Sequence, residues 1–345
     1  MEIGIGVDGS LGLSFDEERQ IAREAVDLGY TSMWTPEGAG YDSFQLCTMR
    51  WAASREIDPA GLITGIGVCP VAYRTPVAFA MSAATVSALT DGRFILGIGS
   101  GGIYRPDVRR MLGLPARSTL GVMREYLTAI TGLLAGEAVE TDGDAVSLHG
   151  MQLGISPPPT PVYLGALGPK MLQLGGELAD GISLNWCTPE QIAWSREHVD
   201  AGSAKAGKAA GSVKFAEYIR ICVDDDAAAA RTAYARSALG YALGQSVPTE
   251  RERAFGYRAH FERMGHRDEL AALDDLRRDG ASMATLVETV SDDFLLATGY
   301  FGMPDGAAEA FTRLSEGLDT SIVRIVGARP GIDAARAVMQ ACAPS

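Results

Sequence analysis

The stretch Leu62–Gly102, LITGIGVCPVAYRTPVAFAMSAATVSALTDGRFILGIGSGG, reads as strand, polar turn, helix, tight turn, strand and a second glycine loop. Each strand is a short apolar run with glycines near its C-terminal end. Thr75 stands where an N-cap belongs and Pro76 at the first helical position. The helix from Val77 to Leu89 is apolar or small almost all round, as expected of a helix packed on a sheet. Asp91-Gly92 turns the chain into the next strand, Arg93 to Gly99. The segment is a βαβ unit whose strand ends open onto loops too glycine-rich to be filled by side chains, where backbone comes close to a ligand.

Outward from this unit, strand and helix signals alternate. Glu2–Val7, Thr31–Thr35, Pro161–Gly165, Gly181–Asn185, Val213–Val223 and Ser321–Val326 read as further strands, and a helix is expected between each strand and the next. Eight such units predict an α/β fold of the closed (β/α)8 type, a TIM-like barrel, with a doubly wound sheet as the alternative. No Gly/Ser linker or shift in composition divides the chain. Residues 1–345 are expected to form one domain, with excursions at about 100–118, 137–160 and 224–300. The last reads as inserted helices after the seventh strand, and Asp142-Gly143 in the second as a hairpin turn.

Composition narrows the function. With 47% hydrophobic and 21% charged residues, the 345-residue chain has ample material for a core. A net charge of −13 with no basic run argues against nucleic acid and against an anionic membrane surface. The start, MEIGIGVDGS, lacks the features of a signal peptide, and no apolar stretch approaches the length of a membrane span. The five cysteines and four histidines are scattered without CxxC or ligand spacing, so reduced thiols, a cytoplasmic location and no metal site are expected.

Several strand ends carry candidate chemistry. Gly97-Ile98-Gly99-Ser100-Gly101-Gly102 matches GxGxxG, yet three strands precede it and Ile103-Tyr104-Arg105-Pro106 intervenes before any helix. The acid at the dinucleotide-binding distance, Glu125, falls inside the following helix, so a Rossmann site is not expected. Gly165-Ala166-Leu167-Gly168 runs from a strand end into a helix N-terminus, a place that favours an anion and is equally an ordinary βα loop. Glu37, after the second strand, serves either as a proton donor or acceptor or as the partner of Arg74, tying two loops together. Asp8 ends the first strand in turn-like Asp-Gly, and Trp186 ends the sixth as an aromatic wall or as core.

Taken together, Trp34-Thr35-Pro36-Glu37, Thr64–Val68, Tyr73–Pro76, Gly92–Gly101 and Pro161–Gly165 through Ala179-Asp180-Gly181 resemble the luciferase-like oxidoreductases. The resemblance is to the branch that uses the deazaflavin coenzyme F420, similar to methylenetetrahydromethanopterin reductase. It implies a TIM-like barrel and a hydride transfer between F420 and a small organic substrate. An FMN-dependent monooxygenase is the alternative enzyme, and a non-catalytic flavin-binding protein the alternative of another class. It implies a non-prolyl cis peptide at Gly67-Val68 behind the ring, with Cys69 also at the coenzyme, Ser100 and Gly101 lining the coenzyme tail or the substrate side, and a phosphate on Gly165, Ala166, Leu167 and Gly168. Glu37 takes the catalytic position beside the ring, and Asp8, Tyr104 and Trp186 are expected on the substrate side. A homodimer is implied as well. The sugar-phosphate dehydrogenases of the family have an acid after the fourth-strand glycines and a His after the second strand. Gly102-Ile103 and Glu37 stand there instead, which argues against glucose-6-phosphate as substrate.

Overall fold

The computed structural model describes residues 2–244 and 246–344, without the side chains of residues 251 and 252. Eight parallel strands close on themselves: β1 (Glu2–Gly6), β2 (Ser32–Thr35), β3 (Ile63–Ile66), β4 (Phe94–Gly99), β5 (Val162–Gly165), β6 (Gly181–Asn185), β7 (Lys214–Val223) and β8 (Thr320–Ile325). Closure runs through β8 on β1, with Ile5 opposite Val323, and through β7 on β6 and β8. Helices such as Phe15–Asp27, Pro76–Leu89, Thr119–Leu134 and Pro189–Lys205 follow the strands and cover their outer faces. The fold is the expected TIM-like barrel.

Local chemistry sets the boundaries. Thr75 caps its helix by accepting from the Ala78 N–H, and Pro76 occupies the first turn. The helix Thr119–Leu134 is amphipathic and buries Met123, Leu127 and Ile130. Glu125, the acid that a dinucleotide-binding reading would need, instead accepts the N–H groups of Ala145 and Val146 at 2.7 and 2.8 Å. It clasps the antiparallel hairpin Val139–Asp142/Ser147–Met151, which occupies the second excursion.

Inside the barrel, large rings alternate with bare backbone. A Cβ on Gly65 would run into Trp34, one on Gly4 into the Ser32 hydroxyl that accepts from the Trp34 indole, and one on Gly181 into Tyr163. A Cβ on Gly6 would lie 2.8 Å from the Tyr218 ring, and one on Gly67 3.0 Å from its hydroxyl. Trp34, Tyr163, Ala216, Tyr218 and Ile322 thus fill the interior as one apolar cluster. Many glycines that mark the strands in the sequence are therefore the complement of these rings rather than room for a ligand.

Between β7 and the last helix-strand-helix the chain makes the expected excursion, built of helices from Ala227–Ala242 to Asp292–Leu296. They carry an apolar cluster of their own around Tyr234, Leu239, Phe261 and Phe294. Asp274, fully buried, is 2.7 Å from Arg258, and Glu262 also pairs with Arg258 at 2.7 Å, so this cluster includes a compensated charge network. One element differs from expectation. Gly299–Gly302, at the end of the third excursion and given no strand in the sequence reading, forms a short strand parallel to the upper half of β7, with Gly299 opposite Arg220. It takes the place that β6 leaves after Asn185.

Candidate functional site

The C-terminal strand ends open at one mouth. On its β2–β5 side the Gly67–Val68 peptide is cis, as the resemblance implies. After it the chain rejoins the sheet, with Cys69 and Pro70 opposite Ile98 and Gly99. The Val68 isopropyl group lies across β4 and β5. A Cβ on Gly99 would sit 2.5 Å from it and one on Gly165 3.3 Å from both its methyls, while one on Gly97 would collide with the Ile66 carbonyl. These glycines make room for Val68, which stays partly exposed.

Glu37 leaves β2 and donates its own N–H to the Val68 carbonyl at 3.2 Å. Its carboxylate is 2.7 Å from Arg74, whose other nitrogen reaches Asp42 at 2.5 Å. Pairing with Arg74 is thus realised, while the second oxygen, Oε2, is buried without a hydrogen-bond partner. Burial works against the Arg74 charge, but its bonds to Glu37 and Asp42 hold its proton more tightly than usual. Cys69 needs correcting as a coenzyme contact: it is wholly buried, and its sulfur accepts from Arg74 at 3.1 Å. Burial, and then the Glu37 charge, push that thiol up, so it is neither exposed nor a thiolate.

Ser100 is partly exposed at the end of β4. Gly101, with φ 58°, presents its bare Cα to Pro70, so its lack of a side chain serves packing and only its backbone faces outward. Tyr104 sets its hydroxyl against Gly256 of the insertion and joins the two excursions. On the following loop Gly168 is the N-cap of the helix Pro169–Leu178 and has no side chain to cap it and open space beside it. Ala166 is buried and its N–H already donates to the Ser183 carbonyl at 3.4 Å, so it contributes shape rather than a free donor. Arg263, from the insertion, donates to the Leu167 carbonyl at 2.8 Å.

The β6–β8 side is built differently. Trp186, expected on the substrate side, is completely buried among Tyr234, Tyr241 and Phe261, which corrects that expectation. It turns inward because β6 parts from β7 there, at a φ of 59°. Above its ring, at 3.8 Å, lies the guanidinium of Arg220, also 4.9 Å from the Tyr241 ring. Arg220 donates to Asn185 Oδ1 at 2.6 Å, and Asn185 donates in turn to the Tyr257 hydroxyl at 2.6 Å. Asp8 is partly exposed at the mouth and paired with Arg324, which also donates to the Gly6 carbonyl. Burial pushes the Asp8 carboxyl up, but the Arg324 charge and the Ser10 hydrogen bonds outweigh it and hold it below its ordinary value.

Behind this side, Glu217 faces away from the barrel axis and accepts the Cys187 N–H at 2.6 Å. Burial pushes its carboxyl up to about 8. His260, fully buried, donates from Nε2 to the Trp186 carbonyl at 2.7 Å and accepts from Arg263 at 3.2 Å. Burial pushes it down to about 4, so it is neutral. Asn185, Arg220, His260 and Arg263 escape sequence reasoning. For Arg220 the available signal is its two-residue step from Ala216 and Tyr218, which places it on the inner face of β7. Among the described residues no three His, Cys, Asp or Glu groups gather as metal ligands, and no helix is long and apolar enough to cross a membrane.

Residues 2–321 match the family model of the luciferase-like monooxygenases. The chain belongs to that family. Among its relatives are the 5,10-methylenetetrahydromethanopterin reductases of Archaeoglobus fulgidus, 29% identical over 92% of both chains, and of Methanolobus tindarius, 30% identical over 90% of this chain and 89% of the other. The coenzyme F420 dependent tetrahydromethanopterin reductase structure from Methanopyrus kandleri has the same fold. It superposes with a TM-score of 0.76 over 99% of this luciferase-like chain and 98% of that one, at 20% identity.

Proposed function

We propose that the chain is a coenzyme F420-dependent oxidoreductase that moves a hydride between the deazaflavin and a small organic substrate. The observation that carries this reading is the Val68 bulge, a partly exposed apolar surface bedded on Gly97, Gly99 and Gly165 where three strand ends converge. Similarity to reductases over nine-tenths of the chain supports the coenzyme. When bound, the deazaflavin supplies the carbon that gives or accepts the hydride.

The residues present fit such a group. Val68 offers one face of a flat ring a van der Waals surface. The uncapped helix end at Gly168, with Arg263 beside it, suits the phosphate of the coenzyme. Glu37, with one oxygen held by Arg74 and the other unengaged, holds or receives a proton at Oε2. The insertion, seated on Tyr104 and Asn185 through Gly256 and Tyr257, excludes water from the β6–β8 side.

Titration of the purified chain with F420 and separately with FMN, followed by fluorescence, tests the reading. Saturable binding of F420 with weak or no binding of FMN is expected. Preference for FMN, with oxygen consumption on supplying reduced flavin, would replace this reading with that of a monooxygenase.

A further inference from the structure

We propose that Arg220 is a receptor for a carboxylate carried by the substrate, so that this enzyme acts on small monocarboxylic compounds. This deepens the reading above, from which it takes the idea that the mouth holds a substrate at all. Arg220 is only 3% exposed, yet among the described residues no carboxylate lies within ion-pair distance of it. Arg324, its neighbour on β8, has Asp8 as a partner, and Arg74 has Glu37 and Asp42. Glu217 is an odd number of residues away on the same strand, so it faces the opposite side and spends an oxygen on the Cys187 N–H. A buried guanidinium without a counter-charge is unfavourable until an anion arrives.

Its surroundings hold it in one plane. The ring of Trp186 supports one face, and Nη1 is tied to Asn185, whose own amide is turned by Tyr257. One bond to a neutral amide leaves the remaining N–H groups of a rigid fork for a planar oxyanion. Tyr241 and Tyr257, ring centroids 4.7 Å apart, offer apolar faces beside it. This suits a singly charged carboxylate on an apolar body. The same chemistry occurs in the carboxylates of the coenzyme's glutamyl tail, so the experiment separates the two sources.

The test is calorimetric titration of the full chain with acetate, crotonate, benzoate and cinnamate and with their amides, with and without F420. In the wild type at least one acid is expected to bind about tenfold or more tightly than its amide. In Arg220→Gln the preference falls to about twofold or less, while the Kd for F420 stays within about threefold. Asn185→Asp tests the same point with the arginine in place, since it brings a permanent counter-charge of equal volume to Nη1 and should abolish the preference. It decides the matter if Arg220→Gln fails to fold. No acid preferred over its amide, or a preference that survives both variants, overturns the proposal. So does an Arg220→Gln variant that weakens F420 while the acid preference is unchanged, which would assign the arginine to the coenzyme. If F420 fails to bind but the acid preference and its loss in the variants are observed, the coenzyme reading falls and the carboxylate receptor stands.

Discussion

Two arginines at opposite sides of the barrel mouth, Arg74 and Arg220, have their charge met in opposite ways. Around β2–β5, Arg74 is matched by Glu37 and Asp42, and the strand-end glycines are shaped to one valine. Around β6–β8, Arg220 lies on an aromatic bed with an amide and no acid, and helices from a distant excursion complete the wall. On the first side the arginine is matched within the chain, whereas on the second Arg220 has a charge still to be met. A site divided in this manner can hold a constant coenzyme on one side and change its substrate on the other.

The largest effect should come from disturbing the β2–β5 side at its tightest point. Gly97→Ala places a methyl group against the Ile66 carbonyl, on a strand held by pairing on both edges, and should cost about 3 kcal/mol or more. Loss of soluble protein, or a much lower urea midpoint, is expected; a midpoint equal to wild type would show that the side is looser than its contacts imply. Arg74→Met strands Glu37 and Asp42 together and should cost about 3 kcal/mol, read from the same denaturation curves. The equivalent change on the other side, Arg220→Met, removes an unmatched charge and should cost less than Arg74→Met. The reverse order would erase the contrast.

Sequence reasoning reached the two sides unequally. The eight-strand barrel and the Thr75-Pro76 helix start were legible because short-range rules write them locally, and the hairpin was legible too, although its turn lies at Gly143–Val146, just after the Asp142-Gly143 step; the cis Gly67–Val68 bulge came from the family resemblance alone. Which cavity a glycine faces is not local. Gly65 and Gly181 look like Gly99 in the sequence but serve Trp34 and Tyr163. Asn185, Arg220, Tyr257 and Arg263 are brought together from β6, β7 and the insertion, across as many as 78 positions from Asn185 to Arg263, and carry no motif. Of the two readings open for Trp186, aromatic wall or core, burial decides for core, and the parting of β6 from β7 where Gly299–Gly302 takes over is what the sequence did not show.

Two smaller effects sharpen the comparison. Glu37→Gln keeps an oxygen for Arg74 but cannot carry the proton, and should slow turnover about tenfold or more with F420 affinity nearly unchanged. Unaltered turnover would leave Glu37 only its pairing role. Glu217 has its folded-state carboxyl raised to about 8, so between its ordinary value of 4.5 and pH 8 the folded chain holds a proton that the unfolded chain has released. Its contribution to stability is therefore present at low pH and lost as pH rises through that window. Glu217→Gln should be more thermostable than wild type at pH 8, with the gap closing towards pH 5. A difference in Tm that does not vary with pH would mean that Glu217 stays ionised.

The interior rings have a consequence for anyone who would reshape this enzyme. Trp34 is fitted to Gly65, its Ser32 partner to Gly4, Tyr163 to Gly181, and Tyr218 to Gly6 and Gly67. Shrinking a ring leaves a hollow over two strands at once, and adding a methyl opposite an intact ring has nowhere to go. Such positions should change in concert or not at all, so libraries aimed at new substrates belong in the loops above, with the shaft of the barrel kept as a matched set.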